Sequence, residues 1–226
     1  MARIVIKFPT RNRPEKFQRV FSKYISYLSG KQDVSFVVTM DLDDPSMNNE
    51  QMWHFFEEMK KSVPISYHYG SSKTKIEAVN ANMEGVDGDI LVVASDDMIP
   101  CFEGYDDIIA NGFDQFFPDF NGAIKFHDGL RRPNDLLMTL PVIGFPVIRE
   151  WGYIYHPDYT SVYADNEQTL VLHRTNRLVI SSMCIIRHEW TPEPFDELHA
   201  RNENRDMYIR DGKVYNERLA RNFDLG

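Results

Sequence analysis

The segment Ile90-Leu91-Val92-Val93-Ala94-Ser95-Asp96-Asp97 is the most informative stretch of this chain. Its first four residues predict a buried strand, and the strand is followed by two carboxylates that no core accepts unpaired. In an open α/β sheet, ligands bind at the carboxyl ends of the strands. Hard divalent cations prefer oxygen ligands, and phosphate oxygens of a substrate often serve as further ligands. Two interpretations follow: a metal-diphosphate site, or a turn in which Asp96 and Asp97 merely cap the next segment.

Strand-like and helix-like segments alternate along the first half of the chain. The predicted strands are 4–8, 34–40, 66–69 and 89–94, and the predicted helices between them are 14–28, 48–62 and 73–83. This alternation predicts an α/β fold with a mixed, mainly parallel sheet flanked by helices. In the second half, strands are predicted at 122–126 and 178–186 and a helix at 165–174. We expect a single domain over 1–226, with a nucleotide-binding half at 1–98 and an acceptor-binding half at 99–226.

Composition narrows the function classes. The 226 residues are 42% hydrophobic, enough for a substantial core, and the formal charge of −9 argues against nucleic acid as a partner. Cys101 and Cys184 form no CxxC pair and lie near no histidine at zinc spacing. No apolar run approaches the roughly 20 residues that span a bilayer, and the amino terminus does not resemble a signal peptide. We therefore expect a cytoplasmic protein with no membrane span.

The loop Pro9-Thr10-Arg11-Asn12-Arg13-Pro14 follows the first strand and opens the first helix. Helix amino termini attract anions, and Arg11 and Arg13 add positive charge suited to a diphosphate. Asp41 ends the second strand in the same geometry, where its carboxylate could accept hydrogen bonds from a base or ribose. Lys75 or Lys73, in the third helix, could meet a phosphate. The alternatives are solvated cations and an ordinary turn carboxylate.

The second half contributes further candidates. Asp165 and Glu167 begin a helix, where acids are favourable because of the helix dipole alone. The functional alternative for them is a catalytic base at the mouth of the cleft. His188 follows the last predicted strand, where a neutral imidazole could ligate a metal, and His127 also stands at a strand end.

Taken together, these segments resemble the GT-A glycosyltransferases, in particular the large inverting family that includes bacterial and phage sugar-transfer enzymes. Residues 4–14 look like the family's first strand followed by Pro-Thr-x-Asn-Arg-Pro, and residues 37–41 like its second strand with a base-contacting aspartate. Residues 75–81 are similar to the helix before the metal motif, and residues 88–97 to the Gly-Asp strand that runs into the DxD motif.

The resemblance implies a role for each candidate on the donor side. Asp97 would bind manganese or magnesium and bridge the ion to the donor diphosphate, and His188 would be the late metal-binding histidine. The first acid of the DxD motif is Ala94 here, which leaves the ribose contact to Asp96.

The resemblance also bears on the acceptor side. The family's Glu-Asp pair is replaced by Asp165-Asn166-Glu167, so Asp165 is the preferred base and Glu167 the alternative. Residues 140–145 resemble the glycine-containing acceptor loop.

The implied activity is metal-dependent transfer of a sugar from a nucleoside diphosphate sugar to a hydroxyl of a carbohydrate or other acceptor. UDP is the preferred nucleotide with GDP as the alternative, and inversion is preferred over retention. Two rival classes remain open. A nucleotidyltransferase usually has a Gly-rich loop after its first strand, and residues 8–14 contain no glycine. A non-catalytic nucleotide- or carbohydrate-binding module could use Trp151, Tyr153 and Tyr155 as platforms.

Overall fold

A computed structural model describes residues 1–132, 135–189 and 204–225, and this part of the chain contains nine strands and seven helices. The strands are β1 Arg3–Pro9, β2 Asp33–Asp41, β3 Ile65–Gly70, β4 Ile90–Val93, β5 Met98–Pro100, β6 Ala123–Lys125, β7 Val142–Gly144, β8 Leu178–Ile180 and β9 Ile186–His188. The helices are α1 Pro14–Ser26, α2 Glu50–Met59, α3 Lys75–Asn80, α4 Tyr105–Phe116, α5 Phe145–Trp151, α6 Ala164–Arg174 and α7 Arg205–Ala220.

Seven strands form one sheet in the order β3-β2-β1-β4-β7-β6-β8. The pairs β1 with β2, β1 with β4, β2 with β3 and β6 with β8 are parallel, whereas β7 runs antiparallel to β4 and β6. Strands β5 and β9 form a separate antiparallel ribbon. This mixed, mainly parallel sheet flanked by helices confirms the predicted fold class.

Helices cover both faces of the sheet, and β1 shows why. Its side chains alternate, so Ile4, Ile6 and Phe8 enter the core cluster shared with α1, α2 and α4, while Val5 enters the cluster shared with α3, α5 and α6. A strand covered on both faces is apolar along nearly its whole length, which is the pattern that made β1 and β4 recognisable.

None of the helices in the described ranges combines the length and apolar character needed to cross a bilayer.

The elements predicted in the first half are all present, with shorter helices. The Asn49 side chain accepts a hydrogen bond from the backbone N–H of Met52, and the Thr74 hydroxyl accepts one from Glu77. These caps satisfy backbone donors at the helix starts, so α2 and α3 begin at residues 50 and 75 rather than at 48 and 73.

The second half departs further from the predictions, which did not include helices α4, α5 and α7. The strand predicted at 178–186 is interrupted: β8 ends at residue 180, β9 begins at residue 186, and the two belong to different sheets. The predicted acceptor loop at 140–145 contains β7, which lies inside the sheet beside β4. A Cβ atom at Gly144 would lie 1.6 Å from the carbonyl oxygen of Phe120, so the glycine serves close backbone packing there.

Candidate active site

A cleft of about 860 Å³ opens at the carboxyl ends of β1, β2 and β4. Such an edge is where open α/β sheets bind their ligands. Ten of the eleven predicted site residues line it: Pro9, Thr10, Arg11, Arg13, Asp41, Lys75, Asp96, Asp97, Asp165 and His188. The eleventh, Glu167, does not line the cleft.

Arg11 is held at the cleft wall by two carboxylates. Its Nη1 donates to Asp41 Oδ2 at 2.7 Å and to Asp43 Oδ1 at 2.5 Å. Hydrogen bonding to Asp43 contributes most to raising the pKa of Arg11, and Asp41 adds to it against the opposing effect of burial. The guanidinium is therefore charged at any physiological pH and orients the carboxylate of Asp41, which ends β2.

Arg13 and Asp96 form a buried ion pair. Arg13 Nη1 lies 2.7 Å from Asp96 Oδ1, with the two side chains 9% and 3% exposed. The Thr10 hydroxyl donates to the other carboxylate oxygen at 3.2 Å, and Lys16 Nζ lies 4.0 Å from Oδ1. Burial raises the pKa of Asp96, while the charges of Arg13 and Lys16 oppose the rise. The arginine predicted to meet a diphosphate thus contacts the carboxylate predicted to meet the ribose.

Asp97 and His188 are brought together by the β5–β9 ribbon. Met98, the residue after Asp97, is the register partner of His188, and the backbone N–H of Glu189 donates to the Asp97 carbonyl at 2.7 Å. His188 Nε2 consequently lies 3.7 Å from Asp97 Oδ2. The Ser95 hydroxyl donates to Asp97 Oδ1 and holds the carboxylate from the other side.

Asp97 and His188 could bind a divalent cation whose remaining ligands come from water and a substrate. Within the described residues, no group of three or more His, Cys, Asp or Glu side chains could hold a metal by itself. Magnesium is usually bound through one or two carboxylates, with waters and substrate phosphates completing its shell. A carboxylate and an imidazole 3.7 Å apart in a cleft of about 860 Å³ leave room for waters and substrate phosphates as the remaining ligands.

Lys75 and Asp165 lie on the walls of the same cleft. Lys75 is the first residue of α3, and Asp165 is the second residue of α6. Burial raises the pKa of Asp165, while the positive charges of Lys75 and Arg131 lower it, and the net effect is a rise. A carboxylate whose pKa is raised toward neutrality is a better general base.

Glu167 faces away from the cleft. Both of its carboxylate oxygens accept from Arg218, at 2.7 Å from Nε and 2.8 Å from Nη2, and Oε2 also accepts from the Tyr159 hydroxyl at 2.7 Å. The Glu167 and Arg218 side chains are each 6% exposed. This arrangement anchors α6 to α7.

Asp128 is a cleft residue that the sequence analysis missed. Burial by itself would raise its pKa, but hydrogen bonds from the backbone of Arg131 and Leu130 and from the Thr139 hydroxyl outweigh burial and lower it. Asp128 follows β6 as Asp97 follows β4, so the same strand-end rule could have found it. The neighbouring His127, which was a candidate, has both ring nitrogens in hydrogen bonds, to the Arg131 carbonyl and the Gly129 N–H.

Lys7 is a fully buried lysine behind the cleft. Its ammonium donates to the Thr39 hydroxyl and, at 2.6 Å, to the Ala81 carbonyl. Thr39 lines the cleft and donates in turn to Asn82 Oδ1 at 2.9 Å. Burial lowers the pKa of Lys7 to about 7. The sequence of β1 gives no sign that this lysine is buried, because a lysine in an apolar strand can equally lie where the sheet meets water.

Comparison with known proteins gives structural likenesses only. No protein-family model and no curated protein matches the sequence. The structure of TarS 1–349 from S. aureus in complex with UDP-GlcNAc superposes with a TM-score of 0.67 at 11% identity, covering 92% of this chain and 64% of that one. The mannosyltransferase PcManGT from Pyrobaculum calidifontis, in complex with GDP-Man and Mn²⁺, gives 0.65 at 15% identity, covering 88% and 60%.

A third likeness is to glucosyl-3-phosphoglycerate synthase from Mycobacterium tuberculosis in complex with Mn²⁺, UDP and glucosyl-3-phosphoglycerate. It has a TM-score of 0.60 at 13% identity and covers 93% of this chain and 80% of that one. In the comparisons with the TarS fragment and with PcManGT, the present chain spans only about 60% of the other protein's length. These likenesses confirm the GT-A fold that the sequence resemblance implied.

Proposed function

We propose that this protein is a metal-dependent glycosyltransferase that moves a sugar from a nucleoside diphosphate sugar to a hydroxyl acceptor with inversion. The observation that carries the proposal is the convergence of Asp97, His188 and Asp165 on one cleft of a GT-A fold. Two structural neighbours hold UDP or UDP-GlcNAc and a third holds GDP-Man, which supports a nucleoside diphosphate sugar as donor. UDP remains the preferred nucleotide.

Donor binding would use the first-half loops. Asp41, oriented by Arg11, would accept hydrogen bonds from the base or ribose. Asp96 would meet the ribose, with Arg13 as its buried ion-pair partner. Lys75, which lines the cleft at the start of α3, would lie close to the diphosphate as a fixed positive charge.

Asp97 and His188 would hold a manganese or magnesium ion. When bound, such an ion supplies Lewis-acid stabilisation of the diphosphate leaving group. Ser95 keeps the Asp97 carboxylate oriented in this role, and the ribbon register keeps His188 next to it.

Asp165 would act as the general base. The acceptor oxygen forms a bond to the anomeric carbon, its proton passes to Asp165, and the bond from that carbon to the diphosphate oxygen breaks on the opposite face. Atoms balance as glycoside plus nucleoside diphosphate, with the released proton on the carboxyl group. General-base assistance of this kind is typically worth about 10²–10⁴ in rate.

The experiment combines donor screening with product identification. Thermal shifts are measured for UDP, GDP, CDP and dTDP with and without manganese, because a ligand that binds the native state raises its apparent stability. Labelled sugar donors are then incubated with the protein, manganese and candidate hydroxyl acceptors. We expect a manganese-dependent shift with one nucleotide, followed by release of nucleoside diphosphate and a labelled glycoside of inverted configuration.

Other products would assign the protein to a rival class. Pyrophosphate would identify nucleotidyl transfer, and ligand binding without turnover across the donor panel would identify a binding module. The Asp97→Asn variant is compared with Asp114→Asn, an exposed carboxylate on α4. Equal activities in the two variants would contradict the metal assignment.

A further inference from the structure

Helix α7 carries a buried carboxylate, Asp211, that accepts hydrogen bonds from residues 160–162, in the segment leading into α6. Asp211 is 0% exposed. Its carboxylate accepts from the backbone N–H of Thr160 at 3.1 Å, of Ser161 at 2.8 Å and of Val162 at 3.0 Å. The Thr160 hydroxyl adds a fourth donor at 2.9 Å, and Arg210 supplies the balancing charge at 2.6 Å. Three successive backbone N–H groups thus donate to one carboxylate, and these hydrogen bonds fix the backbone conformation of residues 160–162.

The backbone at the end of this segment is strained. Tyr163, the residue before α6, has φ of 65° and ψ of −11°, a left-handed conformation that is uncommon for a bulky residue. Such a conformation persists only where the surrounding structure enforces it. Its ring lies 5.5 Å from that of Tyr215 and 6.2 Å from that of Tyr208, both on α7.

The contacts from α7 form one stripe. Tyr208, Asp211, Tyr215 and Arg218 are spaced three, four and three residues apart, which places them on one face of a helix. Arg218 completes the stripe through its ion pair with Glu167 on α6. Helix α7 therefore contacts the chain on both sides of Asp165: at residues 160–163 before it, and at Glu167 after it.

We propose that Asp211 is a positioning residue for the catalytic base Asp165, acting through the 160–163 segment and the start of α6. This inference rests on the proposed function. Segment residues Ser161, Val162 and Tyr163 line the cleft together with Asp165, so a shift of the segment moves the cleft wall and the base together. The donor residues Arg11, Asp41 and Asp97 lie in or after β1, β2 and β4, outside both α7 and the 160–163 segment. A misplacement of about 1 Å can cost about 10²-fold in rate.

The test compares Asp211→Asn with Asp106→Asn. Asp106 on α4 is a matched control because it is also 0% exposed and accepts from a backbone N–H and a hydroxyl, those of Ser29, but does not line the cleft. For Asp211→Asn we expect kcat to fall about 10- to 100-fold while the affinity for UDP with manganese changes less than twofold. For Asp106→Asn we expect kcat per folded molecule to stay at the wild-type value.

The pH profile gives a readout that a purely structural role would not change. Burial contributes most to the pKa of Asp165 and raises it, while the ammonium of Lys75 on α3, the backbone N–H of Asn166 and the guanidinium of Arg131 lower it. The Tyr155 hydroxyl also interacts with this carboxylate. Loosening the segment admits water to Asp165 and reduces its burial, so the acid limb of kcat should move to lower pH in Asp211→Asn and stay in place in Asp106→Asn.

The outcomes separate this inference from the proposed function. If the wild type releases no nucleoside diphosphate from any donor, the proposed function fails and this inference falls with it. If the wild type is active and Asp211→Asn matches Asp106→Asn in kcat and pH profile, this inference alone is overturned. Should Asp211→Asn not fold, Thr160→Val keeps the carboxylate and its three backbone donors and removes the hydroxyl that donates to Asp211 and contacts Arg210 and Met207. It should lower kcat several-fold at unchanged UDP affinity, and an unchanged kcat would refute the positioning role.

Discussion

Replacing Glu167 with glutamine is expected to destabilise the fold while the folded fraction keeps its catalytic rate, and replacing Asp165 with asparagine is expected to do the reverse. The two acids are two residues apart in α6, and both were candidates for the base. The structure separates them: Asp165 lines the cleft, whereas Glu167 accepts three hydrogen bonds from Arg218 and Tyr159.

The magnitude for Glu167→Gln follows from the burial of its partner. Arg218 is only 6% exposed at its side chain, so the neutral amide leaves a guanidinium with little access to water. Its remaining charge partners, Asp224 at 3.2 Å and Asp158 at 3.9 Å, are both exposed and compensate it only in part. Breaking a buried pair by removing one partner typically costs about 3–5 kcal/mol. For a chain of this size, about 1 kcal/mol corresponds to roughly 2–4 °C in Tm, so we expect a fall of roughly 6–20 °C.

Asp165→Asn should have the opposite profile. Because burial raises the pKa of Asp165, the fold disfavours its charged form, and a neutral amide should leave Tm unchanged or slightly higher. Loss of the general base should lower kcat by about 10²–10⁴. Donor affinity should be nearly unchanged.

The assay measures Tm and urea unfolding for both variants, and then kcat per folded molecule well below the Tm of Glu167→Gln. A Glu167→Gln protein that is as stable as the wild type but inactive, beside an active Asp165→Asn protein, would refute the assignment of base and anchor. Loss of activity in both variants at equal folded fractions would refute the claim that Glu167 acts only on stability.

Three further perturbations follow from the same contacts. Alanine at Asp97 or His188 should weaken manganese binding in the presence of nucleoside diphosphate by at least tenfold, measured by calorimetry, and unchanged binding would exclude these residues as ligands. Lys75→Met removes a positive charge that lowers the pKa of Asp165, so the acid limb of kcat should move to higher pH, and a shift to lower pH would contradict the electrostatic assignment. Lys7 has its pKa lowered by burial to about 7, so between that pH and its unfolded pKa the unfolded chain binds more protons than the folded one. The free energy of unfolding of the wild type should therefore rise with pH relative to Lys7→Met, by roughly 4 kcal/mol from pH 7 to 10.5, and parallel pH profiles in urea unfolding would contradict it.

The first half of the chain could be predicted because its information is local. Strands β1, β2 and β4 are near-continuous apolar runs, and the helices between them show their own spacing and caps. Carboxylates that directly follow such strands must lie at one edge of a parallel sheet, so Asp41, Asp96 and Asp97 could be assigned to one cleft before any coordinates were known.

The sequence by itself thus determined the α/β class, the parallel half of the sheet and the acidic edge that forms the cleft. The tertiary structure decided the pairing of Arg13 with Asp96, the division of 178–186 between two sheets, and the positions of His188, Asp128 and the α7 stripe. Each of these depends on residues far apart in the chain, and strands of three residues have too little local signal to be recognised alone. The choice between Asp165 and Glu167 is of this kind, because residues two apart on a helix point about 200° apart and only the packing of α7 decides which of them faces the cleft.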